Sequence, residues 1–331
     1  MIYLLDHLRF FFYLQKISME KQITSNLMMV RPKNFSSNQE TQASNEFQSK
    51  IGESQDLTDI RSIVDSEFQN MTKLLLDHNI NHFIFDDLEH LGSPDAIFPN
   101  NWVTFHEDGN VVFYPMMSTK RRSEKRQDII NNLSDQGFLI RNIIDLSFLE
   151  KDAEFLEGTG SMILDRQNRK AYACISSRTS PKALGIFSEI MGFEVISFNT
   201  LSNIPIYHTN VMMSLGEDTA IVCFDIIQEK ELSENLRSSL IESGRIVIDI
   251  SIEQMNNFLG NTLEVQNNKG EKLLLMSQTA NESLTSEQLV KLSERLSLLS
   301  FPIPTIEKYG GGSVRCMLAE IFLEKKHQQD I

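Results

Sequence analysis

A cysteine that follows three consecutive glycines is the segment of this sequence best suited to chemistry. Gly310, Gly311 and Gly312 let backbone amides come close to a ligand, and Cys316 stands a few residues further on. Backbone amides and a nearby protonated histidine can hold a cysteine as the nucleophilic thiolate. A buried structural cysteine is the alternative, because glycines beside a cysteine are by themselves a weak signal.

The other two cysteines illustrate that alternative. Cys174 and Cys223 each lie inside an apolar, β-like run, where a packed and inert thiol is expected. The three cysteines are far apart, and none has a second cysteine at CxxC spacing. Neither a disulfide framework nor a zinc ribbon is predicted, and the cysteine usage fits a reducing cytoplasm.

A histidine and a glutamate are the candidate partners of this cysteine, since a thiol nucleophile needs a group that moves protons. Of the seven histidines, only His208 stands at an expected element end beside a β-like run, where catalytic side chains are often presented. Glu157 precedes the turn Gly158-Thr159-Gly160 and could bind an N–H-rich group in a pocket. At this level, a structural histidine and an ordinary turn carboxylate remain open alternatives.

A repeated unit of strands and a helix organises the elements that must position these residues. After an amphipathic helix over 56–78, a β-rich run, a polar turn, a second β-rich run and a helix recur at intervals of about 50 residues. The turns are 106–109, 165–168, 216–218 and 267–270, and the helices are 123–137, 180–192, 229–244 and 285–298. With a fifth unit supplied by the two chain ends, this pattern predicts one domain of radially repeated α/β units. A GxGxxG turn, which a Rossmann-like sheet would need, is missing from the sequence.

Composition and charge exclude several classes of protein. The 331 residues are 41% hydrophobic and 23% charged, as in a folded globular protein, and the formal net charge is −14. That charge argues against a nucleic-acid or anionic-membrane partner, which would need clustered Lys and Arg. Residues 1–18 are an apolar run interrupted by Asp6, His7 and Arg9 and too short to span a bilayer. We interpret them as a non-native or disordered extension before a domain that begins at residue 19.

Three segments, taken in chain order, resemble the motifs of a known superfamily. They are Leu156-Glu157-Gly158-Thr159-Gly160, His208-Thr209-Asn210 and Gly310-Gly311-Gly312-Ser313-Val314-Arg315-Cys316. They resemble the Glu, His and Cys motifs of arginine deiminases and dimethylarginine dimethylaminohydrolases, in the guanidino-modifying (pentein) superfamily that also contains amidinotransferases. The resemblance runs from about residue 22 to residue 323 and is closest to the citrulline-utilisation hydrolases (CtlX type). Further matching features are Phe98-Pro99-Asn100-Asn101-Trp102, Tyr114-Pro115-Met116 and Ser177-Arg178-Thr179.

The resemblance implies a fold and a catalytic group. The fold is a five-bladed α/β propeller of ββαβ modules around a substrate tunnel, formed here by residues 19–331 as a single catalytic domain. Cys316 would attack the central carbon of a guanidino or ureido group, while His208 protonates the departing nitrogen and then activates water. Glu157 would hold N–H groups of the substrate and steady His208. Neither a metal nor a cofactor is implied.

The resemblance also implies how an amino-acid substrate is held. Asp95 would bind its α-amino group, and Arg121 and Arg178 would bind its α-carboxylate, a task suited to a bidentate guanidinium. Arg178 matches the family pattern more closely, because the spacing before Arg121 differs by one residue. The implied partner is a small-molecule amino acid, and the sequence leaves the oligomeric state open.

This chain departs from the better-known branches where they carry acidic residues against the guanidinium. It has Asn101 after Asn100, Gly160 at the end of its turn, and Asn210 two residues after His208. A buried guanidinium without carboxylates is costly, whereas a neutral ureido group needs only hydrogen bonds. We therefore predict a hydrolase of carbon–nitrogen bonds other than peptide bonds that converts citrulline to ornithine through a covalent cysteine adduct. The alternatives are an arginine deiminase, dihydrolase or amidinotransferase, and a propeller that binds an amino acid or a partner without turnover.

Overall fold

The structure, a computed structural model, describes residues 20–42, 44–52, 56–204 and 206–326. The predicted extension over residues 1–18 lies outside this part of the chain. The strands are β1 (Asn26–Arg31), β2 (Asn81–Asp86), β3 (Val103–Phe105), β4 (Asn110–Phe113), β5 (Asn142–Asp145), β6 (Ile163–Asp165), β7 (Lys170–Cys174), β8 (Glu194–Phe198), β9 (Met213–Leu215), β10 (Thr219–Val222), β11 (Ile246–Asp249), β12 (Leu263–Gln266), β13 (Lys272–Ser277), β14 (Ser297–Phe301) and β15 (Ala319–Glu320). The helices are α1 (Leu57–Asp77), α2 (Gln127–Asp135), α3 (Gly158–Ser161), α4 (Pro181–Met191), α5 (Lys230–Glu242), α6 (Ile252–Asn256), α7 (Gln278–Glu282), α8 (Ser286–Ser293) and α9 (Pro304–Gly310).

The strands of the described residues form five three-stranded sheets of one design. Their orders are β15-β1-β2, β3-β4-β5, β6-β7-β8, β9-β10-β11 and β12-β13-β14. In each sheet the first pair is antiparallel and the second pair is parallel, with a helical crossover between the parallel strands. Four sheets are continuous in sequence, and the fifth joins β15 to β1 and β2 from the other end of the chain. The predicted α/β fold of five ββαβ modules is confirmed.

The predicted turns and helices fall where the sequence signals put them, except for two helices that were predicted too long. The helix predicted over 123–137 is wrong at its start, because residues 119–124 form a separate 3-10 helix and α2 begins at Gln127. All four predicted turns join the antiparallel strands of a sheet, and α4 begins after the N-cap Ser180 and ends at Gly192 in the left-handed conformation. The helix predicted over 285–298 is wrong at its end, because α8 stops at Ser293 and Leu298 belongs to β14. Leu298 pairs with Leu274 of the parallel strand β13, so sheet pairing overrides the helical pattern there.

Helix α1 shows how a crossover helix supports the segment that carries the candidate cysteine. Its residues Ile60, Val64, Phe68 and Met71 are buried on one face at helical spacing, and the helix packs against α9. Burial of side chains of this size contributes about 1.5–3 kcal/mol each. Glu67 on the same helix accepts hydrogen bonds from two backbone N–H groups in the first turn of α9, at 3.0 Å each. Helix α9 leads directly into the turn that holds Cys316.

A short segment before the first strand of each module brings the candidate residues together. These segments lie two or three residues before β3, β6, β9, β12 and β15, and they contain Asn101, Gly160, Asn210, Asn261 and Cys316 respectively. The segment before β6 contacts those before β3 and β9, and the segment before β3 contacts the one before β15. The repeat thus brings structurally equivalent positions of distant modules close together.

Candidate active site

Cys316 is buried, and its surroundings are side-chain amides. Its Sγ accepts hydrogen bonds from Asn261 Nδ2 at 3.3 Å and from Asn210 Nδ2 at 3.4 Å. The sequence suggested backbone amides of the glycines for this role, but the hydrogen bonds to the sulfur come from asparagines on two other modules. Asn261 was missed by sequence reasoning. Its position two residues before β12, equivalent to that of Asn101 before β3, is the signal that identifies it.

The three glycines serve close packing around the cysteine turn. Gly311 has φ +64° and ends α9, and a Cβ there would lie 2.5 Å from Asn45 Nδ2. A Cβ on Gly310 or Gly312 would lie 2.8 or 3.0 Å from the ring of Phe98. Any larger residue at these positions would therefore displace the cysteine turn from Phe98 or from the loop around Asn45.

His208 and Glu157 form a buried pair, and His208 faces the same cavity as Cys316. His208 Nε2 lies 2.7 Å from Glu157 Oε2, and Glu157 Oε1 accepts a hydrogen bond from the backbone N–H of Met117 at 3.0 Å. Because a carboxylate only accepts, the proton of the neutral ring sits on Nε2 and Nδ1 is left with a free lone pair. Nδ1 faces Gly160, where a Cβ would be 2.9 Å away. The ring of Tyr207 lies against His208, with centroids 4.7 Å apart.

The electrostatics of this pair favour an ionised glutamate and a neutral histidine. Burial alone would raise the pKa of Glu157, but Arg178 and the hydrogen bond from His208 hold it at about 2. Burial lowers the pKa of His208 to about 4, with Glu157 opposing the change. In the resting site at neutral pH, His208 is therefore able to take a proton at Nδ1.

Asn101 is oriented by Arg121. Arg121 Nη1 donates to Asn101 Oδ1 at 2.8 Å, and Asn101 Nδ2 donates to Asn100 Oδ1 at 3.0 Å. A Cβ on Gly160 would lie only 2.4 Å from Asn101 Nδ2, so the missing side chain at this position makes room for the amide. Nε and Nη2 of Arg121 bind Glu124, at 2.8 Å from Nη2, and Nη2 also binds the carbonyls of Asp95 and Phe98. Burial would lower the pKa of Arg121, but Glu124 and Asp95 raise it overall.

Asp95 and Arg178 carry polar atoms that have no partner. Asp95 Oδ2 accepts a hydrogen bond from Asn38 Nδ2 at 2.8 Å, whereas Asp95 Oδ1 is buried and unpaired in the described part of the chain. Arg178 Nη2 donates to Ser44 Oγ at 2.9 Å and to the Thr41 carbonyl at 3.3 Å, while its Nε is buried and unpaired there. Buried polar atoms of this kind usually await a ligand or ordered water.

These side chains line one cavity, whose space not filled by atoms is about 280 Å³ with the open solvent at its mouth included. Of the nine residues singled out in the sequence, those that line it are Asp95, Asn101, Arg121, Arg178, His208 and Cys316. The other three stand behind this lining: Glu157 contacts His208, Asn210 contacts Cys316, and Asn100 contacts Asn101. Thr41 and Asn45, from the loop after β1, also face the cavity and were not recognised in the sequence.

The family of the chain follows from a match that spans most of it. Residues 31–323 match the family described as N,N dimethylarginine dimethylhydrolase, eukaryotic. The chain belongs to this family. It is thereby a member of the guanidino-modifying pentein superfamily and a hydrolase of carbon–nitrogen bonds other than peptide bonds, as the sequence predicted. No curated protein sequence matches it.

Solved structures share the fold of this pentein. The substrate-bound N-terminal domain of an arginine dihydrolase from the ornithine–ammonia cycle in cyanobacteria has a TM-score of 0.69 at 16% identity, over 90% of this chain and 99% of that chain. A dimethylarginine dimethylaminohydrolase in an adduct with S-methyl-L-thiocitrulline has a TM-score of 0.62 at 13% identity, over 92% and 100% of the two chains. Unliganded AgrE reaches 0.69 at 17% identity, although only 40% of that longer chain is covered. At these identities the likeness concerns the fold alone.

Groups of three or more His, Cys, Asp or Glu side chains arranged to hold a metal ion are absent from the residues that the structure describes. The helices in the same residues are all too short or too polar to cross a membrane.

Proposed function

We propose that this pentein hydrolyses citrulline at its ureido carbon and releases ornithine. The observation that carries the proposal is the orientation of the Asn101 amide. Because Arg121 has only donors to offer, the atom that faces it must be the amide oxygen. Asn101 Nδ2 then gives one N–H to Asn100 Oδ1 and keeps a second N–H, which we propose for the substrate. An N–H donor complements the carbonyl oxygen of a ureido group and opposes a guanidinium, whose periphery carries only N–H groups.

The charge of the cavity supports the same substrate class. Its charged lining within the described residues consists of Arg121, Arg178 and Asp95, two cations against one anion. Glu157 stands behind His208 with both oxygens engaged. If Asp95 binds the α-ammonium group, a substrate guanidinium would lie buried without a free carboxylate, which is energetically costly. A neutral ureido group avoids that cost.

In the proposed reaction, Cys316 Sγ bonds to the ureido carbon after its proton passes to His208 Nδ1. His208 then protonates the ornithine nitrogen as its bond to carbon breaks, leaving an S-carbamoyl group on Cys316. A water molecule, deprotonated by His208, hydrolyses that group and restores the thiol. Carbamate leaves and breaks down to ammonia and carbon dioxide. Glu157 keeps the proton of His208 Nε2 in place throughout, so that Nδ1 remains the working nitrogen.

The α-groups of the substrate would meet Asp95 and Arg178. The unpaired Asp95 Oδ1 can accept hydrogen bonds from an ammonium group, and the unpaired Arg178 Nε can donate to a carboxylate. Arg121 lines the cavity too, but its Nε and Nη2 are engaged with Glu124 and backbone carbonyls, and one N–H of its Nη1 binds Asn101. We therefore propose Arg178 as the principal carboxylate ligand, and Arg121 as the residue that orients Asn101. A reducing compartment such as the cytoplasm would preserve the thiol.

A substrate panel tests the proposal. Purified protein is incubated separately with citrulline, arginine and N,N-dimethylarginine, and ornithine, citrulline, dimethylamine and ammonia are measured. We expect ornithine and ammonia from citrulline, a carbamoyl group on the Cys316 peptide during turnover, and no product from Cys316→Ala. Consumption of arginine or dimethylarginine in preference to citrulline would refute the substrate assignment. Lack of turnover on the whole panel would favour a protein that binds without catalysis.

A further inference from the structure

Asn261 occupies a fixed position next to the sulfur of Cys316. It is 1% exposed and lies in the loop between α6 and β12. Its Oδ1 accepts a hydrogen bond from the backbone N–H of Arg315 at 3.1 Å, and its Nδ2 donates to the Asn210 carbonyl at 2.9 Å and to Cys316 Sγ at 3.3 Å. Since the Arg315 N–H is only a donor and the Asn210 carbonyl is only an acceptor, the side-chain amide of Asn261 cannot rotate by 180°. An N–H group of Asn261 therefore always faces the sulfur.

The second amide at the sulfur lacks this constraint. Asn210 Nδ2 lies 3.4 Å from Cys316 Sγ, but Asn210 Oδ1 is buried with no hydrogen-bond donor in the part of the chain that the structure describes. A 180° rotation of this amide would exchange its oxygen and nitrogen without breaking a hydrogen bond at Oδ1. Asn261 is thus the permanent donor of the pair, and Asn210 is able to adapt to either protonation state of the sulfur.

A permanent donor at this distance discriminates between thiol and thiolate. A thiolate is a far stronger hydrogen-bond acceptor than a thiol, so an N–H group held against the sulfur favours the ionised form. Asn261 Oδ1 also lies 3.6 Å from Sγ, where a thiol could donate to it, but this oxygen already accepts from Arg315 at a shorter distance. Asn261 therefore offers a thiolate a donor at 3.3 Å, whereas it offers a thiol only an acceptor that is already occupied.

We infer that Asn261 is a positioning residue that holds the sulfur of Cys316 in its nucleophilic form and location. The inference depends on the proposed role of Cys316 as nucleophile and is independent of the identity of the substrate. Asn261 does not line the cavity described above. Its loss should therefore lower kcat while leaving KM nearly unchanged.

The pH dependence of Cys316 alkylation by iodoacetamide tests the inference without any substrate. Labelling is followed by peptide mass spectrometry, with Cys316→Ala to verify the modified peptide. Cys174 and Cys223 are fully buried, and burial raises their pKa values to about 11 and about 12, so they provide unreactive internal references. Asn261→Ala should raise the pH of half-maximal labelling by about one pH unit, the effect of one charge-assisted hydrogen bond.

Asn261→Asp keeps the acceptor for Arg315 and the side-chain volume but sets a carboxylate oxygen against the sulfur. This variant should raise the midpoint further than Asn261→Ala, and it serves equally if the alanine variant does not fold. Thr262→Val is the matched control. Thr262 follows Asn261 in the same loop, and its hydroxyl lies 2.6 Å from Ser214 Oγ and makes no hydrogen bond to the sulfur. The control should label as the wild type does.

The outcomes separate this inference from the proposed function. Folded Asn261→Ala and Asn261→Asp proteins that label with the wild-type pH midpoint would overturn the inference even if citrulline is the substrate. A raised midpoint would support it even if the panel identifies another substrate. Wild-type protein in which Cys316 resists labelling at every pH would overturn the proposed nucleophile and this inference together.

Discussion

Arg121 Nη1 donates a hydrogen bond to Asn101 Oδ1 across 2.8 Å, and this contact fixes which end of the amide is the oxygen. Arg121 is held in turn by Glu124, whose Oε2 accepts a hydrogen bond from Arg121 Nη2 at 2.8 Å. Glu124 Oε1 accepts a hydrogen bond from the hydroxyl of Ser93. The three hydrogen-bonded side chains of Glu124, Arg121 and Asn101 are all buried. A residue expected to bind substrate therefore has a second task, which is to orient the amide that meets the reacting group.

Exchange of Asn101 for aspartate should change substrate preference. In Asn101→Asp one carboxylate oxygen can keep the contact to Arg121, but the other replaces the N–H that faces the cavity. Against a ureido carbonyl it places acceptor opposite acceptor, whereas a guanidinium gains a charge-assisted partner. The loss is about 1–3 kcal/mol, so the citrulline-to-arginine ratio of kcat/KM should fall about tenfold or more. Asn142→Asp, an exposed site, is the control, and an equal loss for both substrates would contradict the role of Asn101.

A methyl group at residue 160 should inactivate the site. In Gly160→Ala the added Cβ would lie 2.4 Å from Asn101 Nδ2 and 2.9 Å from His208 Nδ1, closer than carbon and nitrogen can approach. We expect kcat/KM to fall at least about tenfold as these side chains move, because small displacements of catalytic groups are costly. Gly185→Ala in α4 is the matched control. It meets no atom within 4 Å and should stabilise the helix by about 0.5–1 kcal/mol, measured by urea unfolding.

The three cysteines should respond differently to alanine. Cys316→Ala should abolish turnover with an unchanged circular dichroism spectrum, because a methyl group cannot act as a nucleophile. Cys174→Ala and Cys223→Ala should cost about 1 kcal/mol of unfolding free energy each, as small core truncations, and retain activity. Turnover by a folded Cys316→Ala protein, or inactivity of either folded control, would show that the nucleophile lies elsewhere.

Acid should destabilise the protein through His208 and Glu157. The unfolded chain takes up the His208 proton near pH 6.5, whereas the folded chain resists it until about pH 4, so stability present above pH 6.5 is lost as the pH falls towards 4. The difference corresponds to about 3 kcal/mol. Glu157, with its pKa held at about 2 against an ordinary value of 4.5, continues the loss below pH 4.5. Urea unfolding of His208→Gln should show a flatter dependence between pH 4 and 6.5, and a slope equal to that of the wild type would remove His208 as its source.

Substrate binding should be weakened even by a substitution of Arg178 that keeps its positive charge. Its planar group donates to Ser44 and Thr41 and lies over the Tyr207 ring, 4.6 Å from the centroid, with Nε still free. A lysine ammonium cannot reproduce this arrangement, so Arg178→Lys should raise KM about tenfold or more with a smaller effect on kcat. Arg237→Lys, in an exposed ion pair with Asp249, is the control. An unchanged KM in Arg178→Lys would exclude this residue from substrate binding.

The modular architecture could be predicted from the sequence because its signals are local. Hairpin turns and helix caps depend on residues a few positions apart, and the prediction of a helix over 180–192 differs from α4 by one residue at each end. The helix predicted over 285–298 was too long at its C-terminal end, because local helical signals compete there with long-range strand pairing. Apolar residues near Leu298 fit a helix locally, and only hydrogen bonding to β13 makes them a strand.

The amino-acid sequence by itself determined the number and design of the modules, the family motifs, and the chemical types present at the site. Only the tertiary structure decided how those side chains meet, because the contacts that build the site join residues far apart in the chain. Two of them join separate modules: Glu157 to His208 across 51 positions and Asn261 to Cys316 across 55. The sequence could identify Asn101 as an amide, but the direction of that amide depends on Arg121, 20 positions away. The contact to Arg121 depends on how one module folds, and the other two depend on the packing of folded modules against one another. No local pattern of residues encodes either.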